Sequence, residues 1–173
     1  MKENIIYKKI ICTDFLPKDS LVNNSEIKSH IFLNFIKNNS KEDIINLNYN
    51  QHSQWVFEYI HDKFKTYIGN TLGIVNNYAE IHNKNEISIK KNNHNHYDLF
   101  NSPDYTAAYV VQGDNSNLII EWENSKHKNI KESFNIKEKD IIIWNSDLNY
   151  YFTENNNEAE RIILFFNLIK IKH

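Results

Sequence analysis

His94, His96 and Asp98 occupy alternate positions in Asn92-Asn93-His94-Asn95-His96-Tyr97-Asp98, the densest polar cluster of the chain. Residues two apart on an extended segment leave from one face. An imidazole and a carboxylate on one face are two of the three donors of a facial triad. Such a set suits Fe(II) and leaves coordination positions open. His96 and Asp98 are the candidate pair, and His94 lies on the same face. The competing reading of these residues is a solvated His/Asn loop.

Arg161 is the second pointer. It is the only arginine among 20 basic residues. A planar, bidentate fork for a carboxylate is one thing lysine cannot supply. Pairing with Glu158 or Glu160 is the structural alternative. Other residue types carry less chemistry. Ser146-Asp147 has no histidine near it in sequence, so a hydrolytic triad has no local support. No glycine-rich phosphate loop is present. Cys12 lies in an apolar stretch and is expected to be buried and inert. As the single cysteine, it excludes a disulfide framework and a cysteine-rich zinc site.

The elements that must position these groups differ between the two halves. Asn4 to Thr13 is β-branched and apolar enough for a strand. Ser25 to Asn38 places Ile27, Ile31, Phe32, Phe35 and Ile36 at helical spacing, with Ser25 as N-cap. Ser53 to Gly73 places Trp55, Val56, Tyr59, Ile60, Phe64, Tyr67, Ile68 and Leu72 on one stripe, with Gly73 as the stop. From Val75 onward the pattern changes to short apolar runs separated by polar turns. Strands are expected at Asn77–His82, Glu86–Lys90, Tyr105–Gln112, Asn117–Trp122, Ile130–Phe134, Asp140–Trp144, Tyr150–Thr153 and Arg161–Ile171. Successive short strands without helices between them indicate a sandwich or barrel. Trp122 and Trp144 are expected in its core. The lysine-rich stretches Lys90-Lys91 and Lys126–Lys131 are read as solvated faces.

The reading is therefore an α+β chain: one domain over 1–173, with an N-terminal strand and packing helices over 1–75 and a jelly-roll core over 76–173. Gly (3) and Pro (2) are scarce, so Asn must serve in turns, because it tolerates left-handed backbone angles. A net charge of −2 excludes a generic polyanion binder, since no basic surplus exists to displace counterions. No nucleic-acid partner is expected. No apolar run approaches the roughly 20 residues that span a bilayer, and Met1-Lys2-Glu3-Asn4 opens without the apolar core of a signal peptide. A soluble, cytoplasmic protein with no membrane partner is expected.

From Asn77 to Asn167 the sequence resembles the Fe(II)/2-oxoglutarate-dependent dioxygenases, in particular the prolyl-4-hydroxylase-like and small bacterial and phage oxygenases. The resemblance lies in an ordered set of motifs. His96-Tyr97-Asp98 stands for the strand-edge H-x-D, and Thr106-Ala-Ala-Tyr109 for the T-x-x-Y of the next strand. Trp144 ends an apolar strand, a turn follows, and Arg161-Ile-Ile-Leu-Phe-Phe-Asn167 is similar to the closing R-I-x-x-x-F-N strand. Where the family has its distal histidine, this chain has Tyr150 or Tyr151.

The resemblance implies a double-stranded β-helix (jelly-roll) with flanking helices. It implies Fe(II) held by His96 and Asp98, and 2-oxoglutarate whose far carboxylate meets Arg161 and Tyr109. The substrate would be a small molecule, an amino acid or a peptide. The third ligand is open among Tyr150, His94, and His82 or His127 from another strand. A fourth outcome is a degenerate site without iron, in which the chain is a jelly-roll or cupin-like binding module. His94-x-His96 opens like a cupin motif, but the cupin glutamate has no counterpart in Leu99–Ser102.

Overall fold

The computed structural model describes residues 9–38, 44–46, 50–93, 102–113, 116–124 and 126–171. Its elements are β1 (Ile11–Phe15), α1 (Asn24–Asn38), β2 (Ile44–Asn46), α2 (Gln51–Ile68), β3 (Thr71–His82), β4 (Tyr105–Gln112), β5 (Asn117–Glu123), β6 (Asn129–Asn135), β7 (Asp140–Asn145), β8 (Asn149–Phe152) and β9 (Arg161–Ile171). The strands form a larger sheet, β1-β7-β4-β9-β3-β2, and a smaller one, β6-β5-β8. All the pairings are antiparallel. Residues 86–93 run along the free side of β8. Lys91 and Tyr150 exchange both backbone hydrogen bonds there, and Ser88 N donates to Phe152 O. The strand expected over Glu86–Lys90 does not form: those residues are irregular, and the one bridge to β8 is made by Lys91.

The larger sheet is covered on both faces. On its outer face Ile27 and Ile31 of α1, and Val56, Ile60 and Phe64 of α2, pack on Ala107, Tyr109, Ile141, Ile143, Leu164 and Phe166. On its inner face Ala108, Val110, Ile142, Trp144, Ile163 and Phe165 meet Leu118, Ile120, Tyr150 and Phe152 of the smaller sheet. Double coverage explains the unbroken apolar runs of β4, β7 and β9, since a strand buried on both sides has no polar face to show.

Several boundaries differ from the sequence expectation. α2 stops at Gly69 and not at Gly73. Gly69 takes φ 71°, and its amide donates to Lys65 O; glycine adopts that left-handed angle without steric cost. Thr71 to Gly73 then belong to β3 and pair with β9. The α2 N-cap is Asn50, whose side chain accepts from Ser53 N. At α1, Asn23 and not Ser25 supplies the capping oxygen, accepting from Ser25 N at 2.9 Å. The expected stripes also rotate. Asn34 is buried, while Ile36 and Tyr67 are 72% and 75% exposed. Cys12 is half-buried against the outer core, and burial raises its thiol pKa.

On the outer face of the smaller sheet Glu121 is clamped by Lys90 and Lys131. Hydrogen bonds from Lys131 and then Lys90 hold its carboxyl at about 2, against an ordinary 4.5. A folded pKa below the unfolded one means stability present above about pH 4.5 and lost as pH falls toward 2. The stability difference between wild type and Glu121→Gln, read by urea unfolding, is therefore expected to be present at pH 6 and gone at pH 2. A difference that does not change with pH would contradict the clamp.

Candidate functional site

The inner face of β3 carries Asn76, Tyr78, Glu80 and His82 at alternate positions, which is the period of a strand face. Opposite them in register on β9 stand Asn167, Phe165, Ile163 and Arg161. The two rows form a polar column inside the roll, flanked by Lys91, Asn93 and Tyr150 from the neighbouring segments.

At one end lies Arg161, fully buried. Its Nε donates to His82 Nδ1 at 3.0 Å, and its Nη1 donates to Ser116 Oγ at 2.7 Å and to Thr153 O at 2.8 Å. The guanidinium lies 5.0 Å from the Phe152 ring centre. Neither Glu158 nor Glu160 is among these partners; Glu158 pairs with Lys84. Next along the column is Glu80, 1% exposed. Its Oε2 is 3.2 Å from His82 Nε2, and its other oxygen pairs with Lys91. Lys91 is thus no solvated lysine. It reaches inward, with its ammonium 5.7 Å from the Tyr150 ring centre.

At the other end the column turns neutral. The Tyr78 and Tyr150 hydroxyls are 3.0 Å apart. Asn93 Nδ2 lies within hydrogen-bond reach of Tyr78 Oη, Thr106 Oγ1 and Asn167 Oδ1 at 2.9, 3.1 and 3.0 Å. Thr106 Oγ1 is 3.1 Å from Ser146 Oγ. Burial pushes both phenols well above the ordinary 10, and the Glu80 charge raises them further. Tyr150 is a buried phenol, its hydroxyl 3.0 Å from that of Tyr78 and its ring wedged against Trp144 and Phe165.

His94, His96 and Asp98 lie outside the described residues. Both flanks of their segment are tied to one residue of the β7–β8 turn. Asn93 N donates to Ser146 O, and Ser146 N donates to Asp104 O, at 3.1 and 3.0 Å. Asn93 and Ser146 stand at the neutral end of the column. The other two candidates for the third ligand are placed elsewhere. His82 has Nδ1 on Arg161 and Nε2 against Glu80. His127 sits on the exposed β5–β6 turn beside Glu123. Among the described residues no group of three His, Cys, Asp or Glu side chains could hold a metal.

Tyr109 and Arg161 are not brought together. Tyr109 faces the helices, its hydroxyl donating to Asn24 Oδ1 at 2.6 Å, and burial raises its pKa. Arg161 is on the opposite face of the same sheet, because β4 and β9 place Tyr109 beside Leu164 and Val110 beside Ile163. The chain runs apolar on both faces there, so spacing alone does not separate them. Sequence reasoning also passed over Glu80, Tyr78 and Asn93. The available signal is the polar alternation Asn76-x-Tyr78-x-Glu80-x-His82 along the strand expected over Asn77–His82.

No family model matches the chain, and no curated protein matches it in sequence. Its fold does match solved structures. The non-heme alpha ketoglutarate dependent carbocyclase SnoK from nogalamycin biosynthesis superposes with a TM-score of 0.71 at 7% identity, over 92% of this chain and 80% of that one. A Pseudomonas putida prolyl-4-hydroxylase superposes with a TM-score of 0.60 at 9% identity, over 94% and 93%. HygX from Streptomyces hygroscopicus, solved with nickel and 2-oxoglutarate bound, gives 0.54 at 10% identity over 92% and 81%. The architecture is the α+β double-stranded β-helix found in Fe(II)/2-oxoglutarate oxygenases. At these identities the likeness is one of fold. No described helix is long and apolar enough to cross a membrane.

Proposed function

We propose that this chain is an Fe(II)- and 2-oxoglutarate-dependent oxygenase, a hydroxylase of a small molecule, an amino acid or a peptide. His96 and Asp98 would be metal ligands and the catalytic centre, with His94 as the third donor. The observation that carries the reading is Arg161. The chain's one arginine is wholly buried on the inner face of a roll whose fold is shared with a protein solved with 2-oxoglutarate. Two imidazoles and a carboxylate suit Fe(II) by their chemistry. Bound there, iron and the oxo acid would supply oxygen activation for attack on a C–H bond. The chain's own part is to supply the donors from His94, His96 and Asp98, to orient the far carboxylate through Arg161, and to exclude water with Trp144, Phe152 and Phe165. Tyr109 has no part in this arrangement, since it serves the helix layer.

The alternative reading is a roll that binds a ligand or partner without iron. Tyr150 sits where the resemblance expects the distal histidine and is satisfied by Tyr78. The two readings separate on ligand-linked stability. A native-state ligand at a hundredfold excess over its Kd adds about 2.7 kcal/mol. Under anaerobic conditions, Fe(II) with 2-oxoglutarate is expected to raise Tm, and His96→Ala and Asp98→Ala to abolish the rise. Succinate release should follow once a substrate is supplied. An unchanged Tm together with a gain of iron binding in Tyr150→His would select the second reading.

A further inference from the structure

We infer that Glu80 and His82 form a fixed-tautomer relay that positions the Arg161 guanidinium for a carboxylate ligand. The ligand part of this inference rests on the oxygenase reading; the relay itself does not.

The chemistry of the donors decides the arrangement. Arginine has no acceptor, so the 3.0 Å contact from Arg161 Nε requires a lone pair on His82 Nδ1. The ring is then neutral, with its proton on Nε2. That nitrogen lies 3.2 Å from the Glu80 carboxylate, an electrostatic contact outside hydrogen-bond geometry. A carboxylate beside one ring nitrogen selects the tautomer and frees the other nitrogen as an acceptor. Glu80 is in turn held by Lys91. Strand geometry makes the relay possible. Glu80 and His82 are two apart on one face of β3, and His82 is the register partner of Arg161 on β9.

The consequence is orientation. With Nε on His82 and Nη1 on Ser116 and Thr153, the plane of the guanidinium is set before any ligand arrives. A guanidinium whose plane is already fixed gains affinity because less freedom is lost on binding. Glu80 and His82 are therefore positioning residues and do not touch the ligand.

Because Arg161 is the only arginine, its Nε–H gives one unambiguous signal in a ¹⁵N-labelled sample. In the wild-type protein a scalar coupling across the Nε–H to Nδ1 hydrogen bond is expected, together with a His82 ring protonated on Nε2. Absence of that coupling overturns the relay without any variant. In Glu80→Leu the Nε–H is expected to exchange with solvent at least ~10-fold faster. Glu80→Gln, which keeps an acceptor for His82 Nε2, should stay near wild type. His82→Gln, which keeps one acceptor and one donor, should restore the protection that His82→Leu removes.

The ligand arm compares two probes on the Fe(II)-loaded protein held anaerobically: 2-oxoglutarate, and 2-oxobutyrate, which lacks the far carboxylate. His82→Leu and Glu80→Leu should weaken 2-oxoglutarate by roughly 10–100-fold, the range seen when orienting partners are removed. They should leave 2-oxobutyrate unchanged. Equal losses for both probes would make the effect merely structural. Tighter 2-oxoglutarate binding in Glu80→Leu would make Glu80 a competitor of the ligand and overturn the relay. A wild type that binds neither probe ends the oxygenase reading, and the coupling measurement still decides the relay.

Discussion

Arg161→Leu is expected to lower stability by about 3–5 kcal/mol, the range for removing one partner of a buried charged network. The substitution removes the donor from His82 Nδ1, from Ser116 Oγ and from the Thr153 carbonyl together. Each buried group left unpaired costs about 1–3 kcal/mol. Leucine fills only part of the space beside Phe152. Arg161→Lys keeps the charge but cannot serve Nε and Nη1 partners at once, so it should recover less than half of the loss. Urea unfolding at neutral pH checks both variants. A cost below about 1 kcal/mol for Arg161→Leu would mean that the guanidinium is not held as described.

Phe165→Ala should cost a similar amount for the opposite reason. Phe165 is fully buried at the centre of the inner core. Its ring stacks on Tyr78 at 4.8 Å between centres and 9° between planes, and it touches the rings of Tyr150 and Phe152. Deleting a buried phenyl ring costs about 3–5 kcal/mol when the surroundings cannot collapse. Here the surroundings are two sheets tied by hydrogen-bonded ladders, so collapse is limited. The variant should also open a cavity among Tyr78, Tyr150 and Phe152. An apolar probe such as benzene is then expected to raise its Tm and not that of the wild type. A loss under about 1.5 kcal/mol would show that the roll interior is loosely packed.

These two predictions come from parts of the chain that the sequence revealed to different degrees. β4, β7 and β9 are legible as strands because short apolar runs bounded by turn residues suit a doubly covered strand. Their faces are not legible. In Arg161-Ile-Ile-Leu-Phe-Phe-Asn-Leu every residue is buried, so no alternation says which side chains enter the roll. Tyr109 and Arg161 therefore cannot be assigned to opposite faces from spacing, although the register puts them there. The same blindness affected the helix ends. Gly69 and Gly73 are equally plausible stops until the pairing of Thr71 with Ile171 commits the chain to β3.

Lys91 and Glu80 show the limit for charges. Nothing in a Lys-Lys pair or a lone glutamate distinguishes a solvated side chain from one facing inward. The distinction depends on what stands across the sheet. Glu80 is buried because its neighbours on the inner face are His82 and Lys91, which come from different segments. The Tyr150 position could be marked as a departure from the expected pattern. That its hydroxyl meets the Tyr78 hydroxyl in the core is decided only by the tertiary structure.

By itself the sequence determined the elements and the inventory: N-terminal helices, a run of short strands, a lone arginine heading the last strand, and a His/Asp cluster before Tyr105. Those are local properties, carried by periodicity, turn residues and residue type. The tertiary structure alone decided which face each side chain takes and which groups meet. It set Arg161 on His82, Glu80 between His82 and Lys91, and Tyr109 out among the helices. The physical reason is that strand side chains alternate with a period of two, so register and sheet stacking, both non-local, convert one list of residues into a particular interior.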